Sequence, residues 1–270
     1  MNYNELLELA INAALAGGED ILKVYTTDFY VEIKSDNTPV TLADKRSSET
    51  ILKMLAPSNF PVVSEEEIIS NYSERKLWTH MWLVDPLDGT KEFVKRNGEF
   101  SVNIALILNG SPVIGVIYAP VKKTIYFGSK NEGSFKLIFD GALPNKINKQ
   151  VLDQAQKLPI QSPPLDYTVI ASHSNLSREI NLHLEKLKNL YGPISLKNIG
   201  SSIKQCLVAE GLAHEYPRFG ATMEWDTAAG QCILEQSGSS LIDLETGLAL
   251  NYNKEKLENN YFIAKHHSQN

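Results

Sequence analysis

Residues 82–90, WLVDPLDGT, run from an apolar strand pattern directly into two carboxylates and a turn. The apolar run 82–84 has the character of a short buried strand, and Asp85 closes it. Asp85 and Asp88 stand three residues apart on either side of a proline, which stiffens the chain so that both carboxylates can face one point. Loops at strand ends are where a rigid scaffold presents its chemistry, so we expect a site here.

The same stretch offers metal ligands and a phosphate cradle within six residues. The Leu87 carbonyl can turn inward beside the two carboxylates, and hard oxygen ligands of this kind suit Mg²⁺. Gly89 permits a tight turn, and Thr90 then opens a helical stretch over 91–96 whose first amides point at an anion. Taken alone, Asp-Gly-Thr is more often a turn or a helix cap. A carboxylate that closes an apolar strand, however, needs a partner or a metal.

Two further carboxylate clusters lie at the edges of apolar segments. Residues 62–67, VVSEEE, place Glu65 just after a short strand, and residues 223–227, MEWDT, place Asp226 just before a helix. Each cluster alone is consistent with a solvated acidic loop or a helix cap. The coincidence of three such clusters favours a metal site.

The first half of the chain is rich in hairpin patterns, and in the second half strand patterns alternate with helix patterns. The patterns predict helices over 4–24, 41–55, 91–96, 179–190, 203–213 and 226–236. They predict strands over 29–34, 61–63, 82–84, 102–108, 113–118, 124–127, 134–138, 167–171, 239–242 and 261–263. Residues 140–166 contain several prolines and little periodicity. We therefore predict an α+β domain over 1–155 and an α/β domain over 156–270.

Composition narrows the function. The 270-residue chain is 43% hydrophobic and carries a formal net charge of −6, which argues against a nucleic-acid binder. Bound metal ions would let such an acidic protein attract an anionic substrate. No apolar run reaches the roughly 20 residues that span a bilayer, and the start of the chain has the pattern of an amphipathic helix. The cysteines, Cys206 and Cys232, are expected to be reduced core thiols, in keeping with a cytoplasmic protein.

The acidic motifs resemble those of the inositol monophosphatase superfamily of Mg²⁺-dependent, lithium-sensitive phosphatases. The matching segments are 64–66 (SEE), 85–90 (DPLDGT) and 225–230 (WDTAAG). Within the superfamily, the chain is similar to the CysQ type of 3′(2′),5′-bisphosphate nucleotidase. This finer resemblance lies in 91–100 (KEFVKRNGEF), 200–204 (GSSIK), 208–211 (VAEG) and 216–220 (YPRFG).

The resemblance implies a layered αβαβα sandwich with the active site between an α+β half and an α/β half. It assigns up to three Mg²⁺ ions to Glu65, Asp85, the Leu87 carbonyl, Asp88 and Asp226. It also implies that Asp44 accepts a hydrogen bond from Thr90, and that this pair orients and deprotonates a metal-activated water. The helix-cap interpretation of Asp44 stays open, because Thr41 and Asp44 also form a cap-like pattern.

The resemblance further implies a hydrolase of sulfur metabolism that removes the 3′-phosphate of 3′-phosphoadenosine 5′-phosphate, or of its sulfated form, and leaves AMP from the former. The second phosphate needs its own cations, and Lys204 and Arg218 are the candidates, although they also fit a solvated helix lysine and a surface loop arginine. The remaining expected substrate contacts are Gly89, Thr90, Ser201, Ser202 and His173.

Two other functions stay open. The same machinery would hydrolyse inositol monophosphate or a sugar bisphosphate, and residues 91–93 with Lys204 and Arg218 favour the nucleotide. A non-catalytic, metal-stabilised regulator is disfavoured by the presence of Asp44, Thr90 and Asp226. The sequence leaves the oligomeric state open, together with peripheral attachment to the cytoplasmic face of the inner membrane.

Overall fold

The structure, a computed structural model, describes residues 1–33, 39–144, 146–172 and 177–267. The helices in these ranges are α1 Tyr3–Tyr25, α2 Leu42–Leu55, α3 Tyr72–Arg75, α4 Thr90–Val94, α5 Lys149–Leu152, α6 Arg178–Tyr191, α7 Ile203–Glu210 and α8 Glu224–Gln236. The strands are β1 Val31–Ile33, β2 Pro39–Thr41, β3 Val62–Ser64, β4 His80–Asp88, β5 Ser101–Leu108, β6 Ser111–Ala119, β7 Thr124–Ser129, β8 Gly133–Ile138, β9 Gln156–Lys157, β10 Tyr167–Ala171, β11 Ile194–Asn198, β12 Glu215–Arg218, β13 Ser240–Asp243 and β14 Phe262–Lys265. None of the described helices is long and apolar enough to span a membrane.

The first large sheet has seven strands in the order β3-β4-β5-β6-β7-β8-β9. Strands β3 and β4 run parallel, and every later pair is antiparallel. The predicted hairpins are confirmed: β5 and β6 are joined through Asn109 and Gly110, and β7 and β8 through 130–132. Both residues of the Asn-Gly turn have positive φ, which explains why this dipeptide is a strong hairpin signal.

The second large sheet has five strands in the order β11-β10-β12-β14-β13. Strand β10 runs parallel to β11 and β12, whereas β14 is antiparallel to β12 and β13. Strands β11 and β12 are not among the predicted elements. Helix α7 also ends at Glu210 and not at the predicted residue 213, because Gly211 adopts the left-handed conformation, with φ +86°.

The layers follow the order helices, sheet, helices, sheet, helix. Helices α1 and α2 share one apolar core with one face of the first sheet, and residues of α7, α8 and both sheets share a second core. Helix α6 covers β10 and β11 through a smaller third cluster. The predicted αβαβα sandwich is therefore confirmed.

The two halves of the chain meet within this sandwich. Gln156 and Lys157 pair with β8, so the first sheet extends just past residue 155, and the second sheet begins at Tyr167. Helix α8, from the C-terminal half, packs against strands β5, β6 and β7 of the N-terminal half. The division at 155/156 into two domains stays a prediction.

The contact between α8 and the first sheet requires a residue without a side chain at Gly115 in β6. A Cβ atom built there would collide with the Ala229 carbonyl oxygen and lie 2.8 Å from the Cys232 Cβ. Gly128, in the adjacent strand β7, approaches the same helix less closely, since the nearest helix atoms, Ile233 Cα and the Cys232 carbonyl oxygen, would be 3.4 Å and 3.6 Å away. The backbone of α8, which carries Asp226, is thus held directly on β6.

We expect Gly115→Ala to lower the free energy of unfolding by about 1–3 kcal/mol, the usual cost of overpacking. The methyl group must push against the backbone of α8, which has little freedom to move. Gly128→Ala is the matched control and should cost less, because its contacts are longer. Chemical denaturation of both variants tests this prediction. Equal losses in the free energy of unfolding would show that the close contact between Gly115 and α8 does not cause the destabilisation.

Candidate active site

A β-bulge in β4 shapes the site. The pairing of β4 with β5 matches Asp85 with Asn103 and Asp88 with Ser101, and the register shifts in between. Pro86 lies in this irregular segment, as expected because a proline cannot donate to a sheet ladder and is tolerated at bulges. Its carbonyl accepts a hydrogen bond of 2.9 Å from the Ser47 hydroxyl of α2. The bulge thus takes the acidic motif out of regular strand alternation.

Asp44 and Thr90 form the predicted pair. The Thr90 hydroxyl donates to Asp44 Oδ1 at 3.1 Å, and the second carboxylate oxygen accepts 2.7 Å hydrogen bonds from the amide and hydroxyl of Thr41. Asp44 is therefore a helix-capping residue and a partner of Thr90 at the same time. Burial raises the pKa of Asp44, as does the charge of Glu66, whereas the hydrogen bonds from Thr41 and Thr90 lower it.

The carboxylates at the ends of β3 and β4 and in the first turn of α8 interact electrostatically. They are Glu65, Asp85, Asp88 and Asp226. Asp85 is only 1% exposed. Burial raises its pKa well above the usual range, and the charges of Glu65, Asp88 and Asp226 add to the effect. Desolvation and the charge of Asp88 raise the pKa of Asp226 to about 8. The Glu65 amide donates to the Val84 carbonyl at 3.2 Å, which places the end of β3 beside β4.

The N-terminus of α7 links the Asp88 carboxylate to the backbone of Asp226. Ser202 donates to Asp88 Oδ2 from its amide at 2.5 Å and from its hydroxyl at 2.6 Å. The same hydroxyl lies 2.8 Å from the carbonyl oxygen of Asp226, which also accepts a 2.9 Å bond from the Gln205 amide. The Asp226 carboxylate in turn caps α8 through the Met223 amide, at 2.9 Å.

The donor set fits Mg²⁺ by its chemistry. All five expected ligands offer oxygen, and the mutual repulsion of buried carboxylates is relieved by a divalent cation. Over the described ranges, no three histidine, cysteine, aspartate or glutamate side chains already surround a common point. The Leu87 carbonyl oxygen lies 3.4 Å from the Thr90 hydroxyl, whose proton is directed to Asp44. The assignment of each ligand stays a prediction.

A cleft of about 230 Å³ opens next to the carboxylates. It brings together seven of the predicted site residues: Asp88, Gly89, Ser201, Ser202, Lys204, Arg218 and Asp226. Gly89 adopts φ +95°, which a side chain would strain. The cleft therefore brings together carboxylates and cations from both halves of the chain. His173 lies outside the described residues.

Lys204 is a buried cation and not a solvated helix lysine, because its residue is only 5% exposed. Its ammonium donates to the Ser201 carbonyl at 2.5 Å and lies 5.3 Å from the centre of the Tyr216 ring. Burial lowers its pKa to about 8 and the charge of Arg218 contributes, although Asp88 and Glu92 oppose the shift. Arg218 ends β12 and donates to the Ala221 carbonyl at 3.0 Å.

Several cleft or site residues are absent from the sequence prediction. Gln205 and Tyr216 line the cleft, and Asn103 contacts Asp88 from β5. Asn103 had a detectable signal, since it interrupts the apolar run 102–108 where a polar side chain requires a partner. Gln205 had none, because a glutamine in a helix is usually solvated.

Comparison with known proteins places the chain in a family. The model of the inositol monophosphatase family matches residues 2–270. The 3′(2′),5′-bisphosphate nucleotidase CysQ of Shigella flexneri is 42% identical over 260 residues, which cover 92% of this chain and 93% of that protein. The crystal structure of CysQ from Bacteroides thetaiotaomicron aligns with a TM-score of 0.90 and 42% identity over 99% of both chains. The suhB protein of Bartonella henselae has the same fold, with a TM-score of 0.74 and 23% identity over 97% of this chain and 94% of that one. The chain therefore belongs to the inositol monophosphatase family.

Proposed function

We propose that this chain is a Mg²⁺-dependent phosphatase that removes the 3′-phosphate from 3′-phosphoadenosine 5′-phosphate and leaves AMP. The observation that supports the proposal is a cleft lined both by the carboxylates Asp88 and Asp226 and by the cations Lys204 and Arg218. A bisphosphate has one anionic group for metal held by the carboxylates and a second for the cations. The names of the similar CysQ proteins indicate the same substrate class.

The acidic residues and the Thr90–Asp44 pair would perform the reaction. Glu65, Asp85, the Leu87 carbonyl, Asp88 and Asp226 would hold Mg²⁺. When bound, Mg²⁺ supplies Lewis-acid polarisation of phosphoryl oxygen and makes water more acidic. Thr90 is positioned to accept a hydrogen bond from the attacking water, since its own proton is directed to Asp44. Asp44, with its raised pKa, is suited to take up the proton.

The cations Lys204 and Arg218 would provide selectivity for a substrate with a second phosphate. Burial lowers the pKa of Lys204 to about 8, whereas the charges of Asp88, Glu92 and Asp226 favour its charged form. Arg218 offers a guanidinium fork that can bind two phosphate oxygens. The amides of Gly89 and Thr90, with Ser201, would bind the reacting phosphate or the sugar. Ser202 is less available for that role, because its amide and hydroxyl contact Asp88.

The proposal extends to points that the sequence left open. The sulfated form of the substrate carries the same 3′-phosphate and is included as a second substrate. More than one Mg²⁺ ion is proposed, because five oxygen ligands are more than one ion takes from a protein, and the family resemblance implies up to three. A cytoplasmic location is proposed because both cysteines are free, buried thiols. Peripheral membrane attachment has no support in the described residues and is not part of the proposal.

The first test is metal dependence. We expect phosphate release from 3′-phosphoadenosine 5′-phosphate to require Mg²⁺ and to stop in excess chelator. Asp88→Asn should abolish turnover without lowering the melting temperature, since it removes one charge from a crowded site while keeping an oxygen acceptor for Ser202. Asp153→Asn, on an exposed residue after α5, is the charge-matched control and should retain full activity. Full activity of Asp88→Asn would refute the metal assignment.

The second test concerns Thr90. Thr90→Ala should lower kcat by roughly 10²–10⁴-fold, the scale of a positioned proton-transfer group, with a much smaller change in KM. Thr90→Ser keeps the hydroxyl and should retain most of the activity. Steady-state kinetics of both variants at saturating Mg²⁺ measure kcat and KM separately. If Thr90→Ala raised KM while kcat held, Thr90 would bind substrate and not orient water.

The third test concerns substrate choice. Removing the Arg218 guanidinium should cost about 1.5–3 kcal/mol with a bisphosphate, the scale of a charged hydrogen bond. The loss should nearly vanish with a nucleoside or inositol monophosphate, because these lack the second phosphate. We would compare kcat/KM for both substrate classes on the wild type and Arg218→Ala. Equal losses would assign Arg218 to the fold or to the reacting phosphate, and a wild-type preference for inositol monophosphate would replace the proposed substrate.

A further inference from the structure

Asn103 is a buried polar residue in the middle of an apolar strand. It is 1% exposed, and its neighbours in β5, Val102 and Ile104, are fully buried. In the sheet it pairs with Asp85 across β4 and β5. An amide in such a place is costly unless it is fully hydrogen-bonded, so its partners indicate what it does.

The partners of Asn103 lead to Asp88. Its Nδ2 group lies 2.9 Å from the Ser202 hydroxyl and 3.4 Å from Asp88 Oδ2, and its Oδ1 atom accepts from the Ser101 hydroxyl at 3.0 Å. Asn103 thus presents its amide nitrogen to Ser202 and Asp88 and its amide oxygen to Ser101. Both ends of the amide are therefore hydrogen-bonded.

Ser202 is the shared partner in this network. Its hydroxyl has one proton, and the two acceptors within reach are Asp88 Oδ2 and the Asp226 carbonyl. By donating to a lone pair of that hydroxyl, Asn103 directs the proton toward these two acceptors. Within the described ranges, every hydrogen bond to Asp88 ends on Oδ2, which leaves Oδ1 for a ligand.

We propose that Asn103 is a positioning residue that acts through Ser202 to orient Asp88 for Mg²⁺. The inference rests on the proposed function, in which Asp88 is a metal ligand. Groups that hold a ligand in place typically contribute 10–100-fold to metal affinity. The proposal also moves Ser202 from substrate contact to ligand positioning, so its loss should affect Mg²⁺ more than substrate.

The test measures Mg²⁺ binding to the full chain by calorimetry, without substrate. Asn103→Leu keeps the approximate shape and removes the amide, and it should weaken Mg²⁺ binding about 10-fold or more. Ser202→Ala should do the same. The double variant should bind Mg²⁺ no more weakly than the single variant of lower affinity, because both residues act on Asp88 through the same hydrogen bonds. At saturating Mg²⁺, the KM for the nucleotide should stay near the wild-type value.

The matched control is Asn12→Ala. Asn12, in α1, also bonds through both ends of its amide, to the Glu8 carbonyl and to the backbone of Ile147, far from the carboxylates. Its loss should lower the melting temperature and leave Mg²⁺ affinity unchanged. If Asn103→Leu behaved like Asn12→Ala, Asn103 would be purely structural and the inference wrong. Should that variant not fold, Ser202→Ala decides alone: unchanged Mg²⁺ affinity with a raised KM would also overturn the inference.

The same measurements separate the inference from the proposed function. Wild-type protein that binds Mg²⁺ in an Asn103-dependent manner but releases no phosphate from a bisphosphate would refute the function and support the positioning role. Wild-type protein that hydrolyses the bisphosphate, with Asn103 variants of normal Mg²⁺ affinity, would refute the positioning role and support the function. A wild type that binds no Mg²⁺ would overturn both.

Discussion

Negative charge held away from water is the constraint on which the rest of the site depends. Asp85 is buried, and Asp226 lies at the cleft within the field of Asp88, so desolvation and like charges raise the pKa of both residues. A group of this kind cannot remain fully ionised at neutral pH unless positive charge or hydrogen bonds compensate it. The Leu87 amide donates to Asp85 and the Met223 amide to Asp226, whereas Ser202 and Asn103 donate to Asp88. Mg²⁺ would supply the positive charge.

The geometry comes from three local features that lie far apart in sequence. The bulge at Pro86 shapes the acidic motif, Gly115 lets α8 lie directly on β6, and Ser202 joins the start of α7 to Asp88. A further buried acid, Glu224, accepts from the amides of Asn253 and Lys254 and from the Lys254 ammonium, which fixes the first residue of α8. Layer packing thus determines where Asp226 is held.

The sequence predicted the elements whose patterns are locally complete and missed those that depend on tertiary context. Strands β5 to β8 have long apolar runs and clear turns, and they were found. Strand β12 contains Pro217, which argues against a strand, yet it pairs with β10 and β14. Strand β11 is largely exposed and short, so its pattern is weak. The acidic motifs were recognisable because a carboxylate at the end of an apolar run is unusual. Their hydrogen bonds to Ser202 and Asn103 were not, because the three segments meet only in the folded chain.

The division of labour between the two halves follows from how each charge is compensated. The expected metal-binding carboxylates come mostly from the first half, whereas the buried Lys204 and the half-buried Arg218 come from the second. Because Lys204 is desolvated, its charge is costly by itself, and an anion in the cleft would relieve that cost as a cation would relieve the cost at Asp85. A bisphosphate with Mg²⁺ compensates the carboxylates and the cations at once. A monophosphate bound to the metal leaves Lys204 and Arg218 without an anionic partner from the substrate. Selectivity for a second phosphate can therefore change through the C-terminal half without altering the residues that carry out the chemistry.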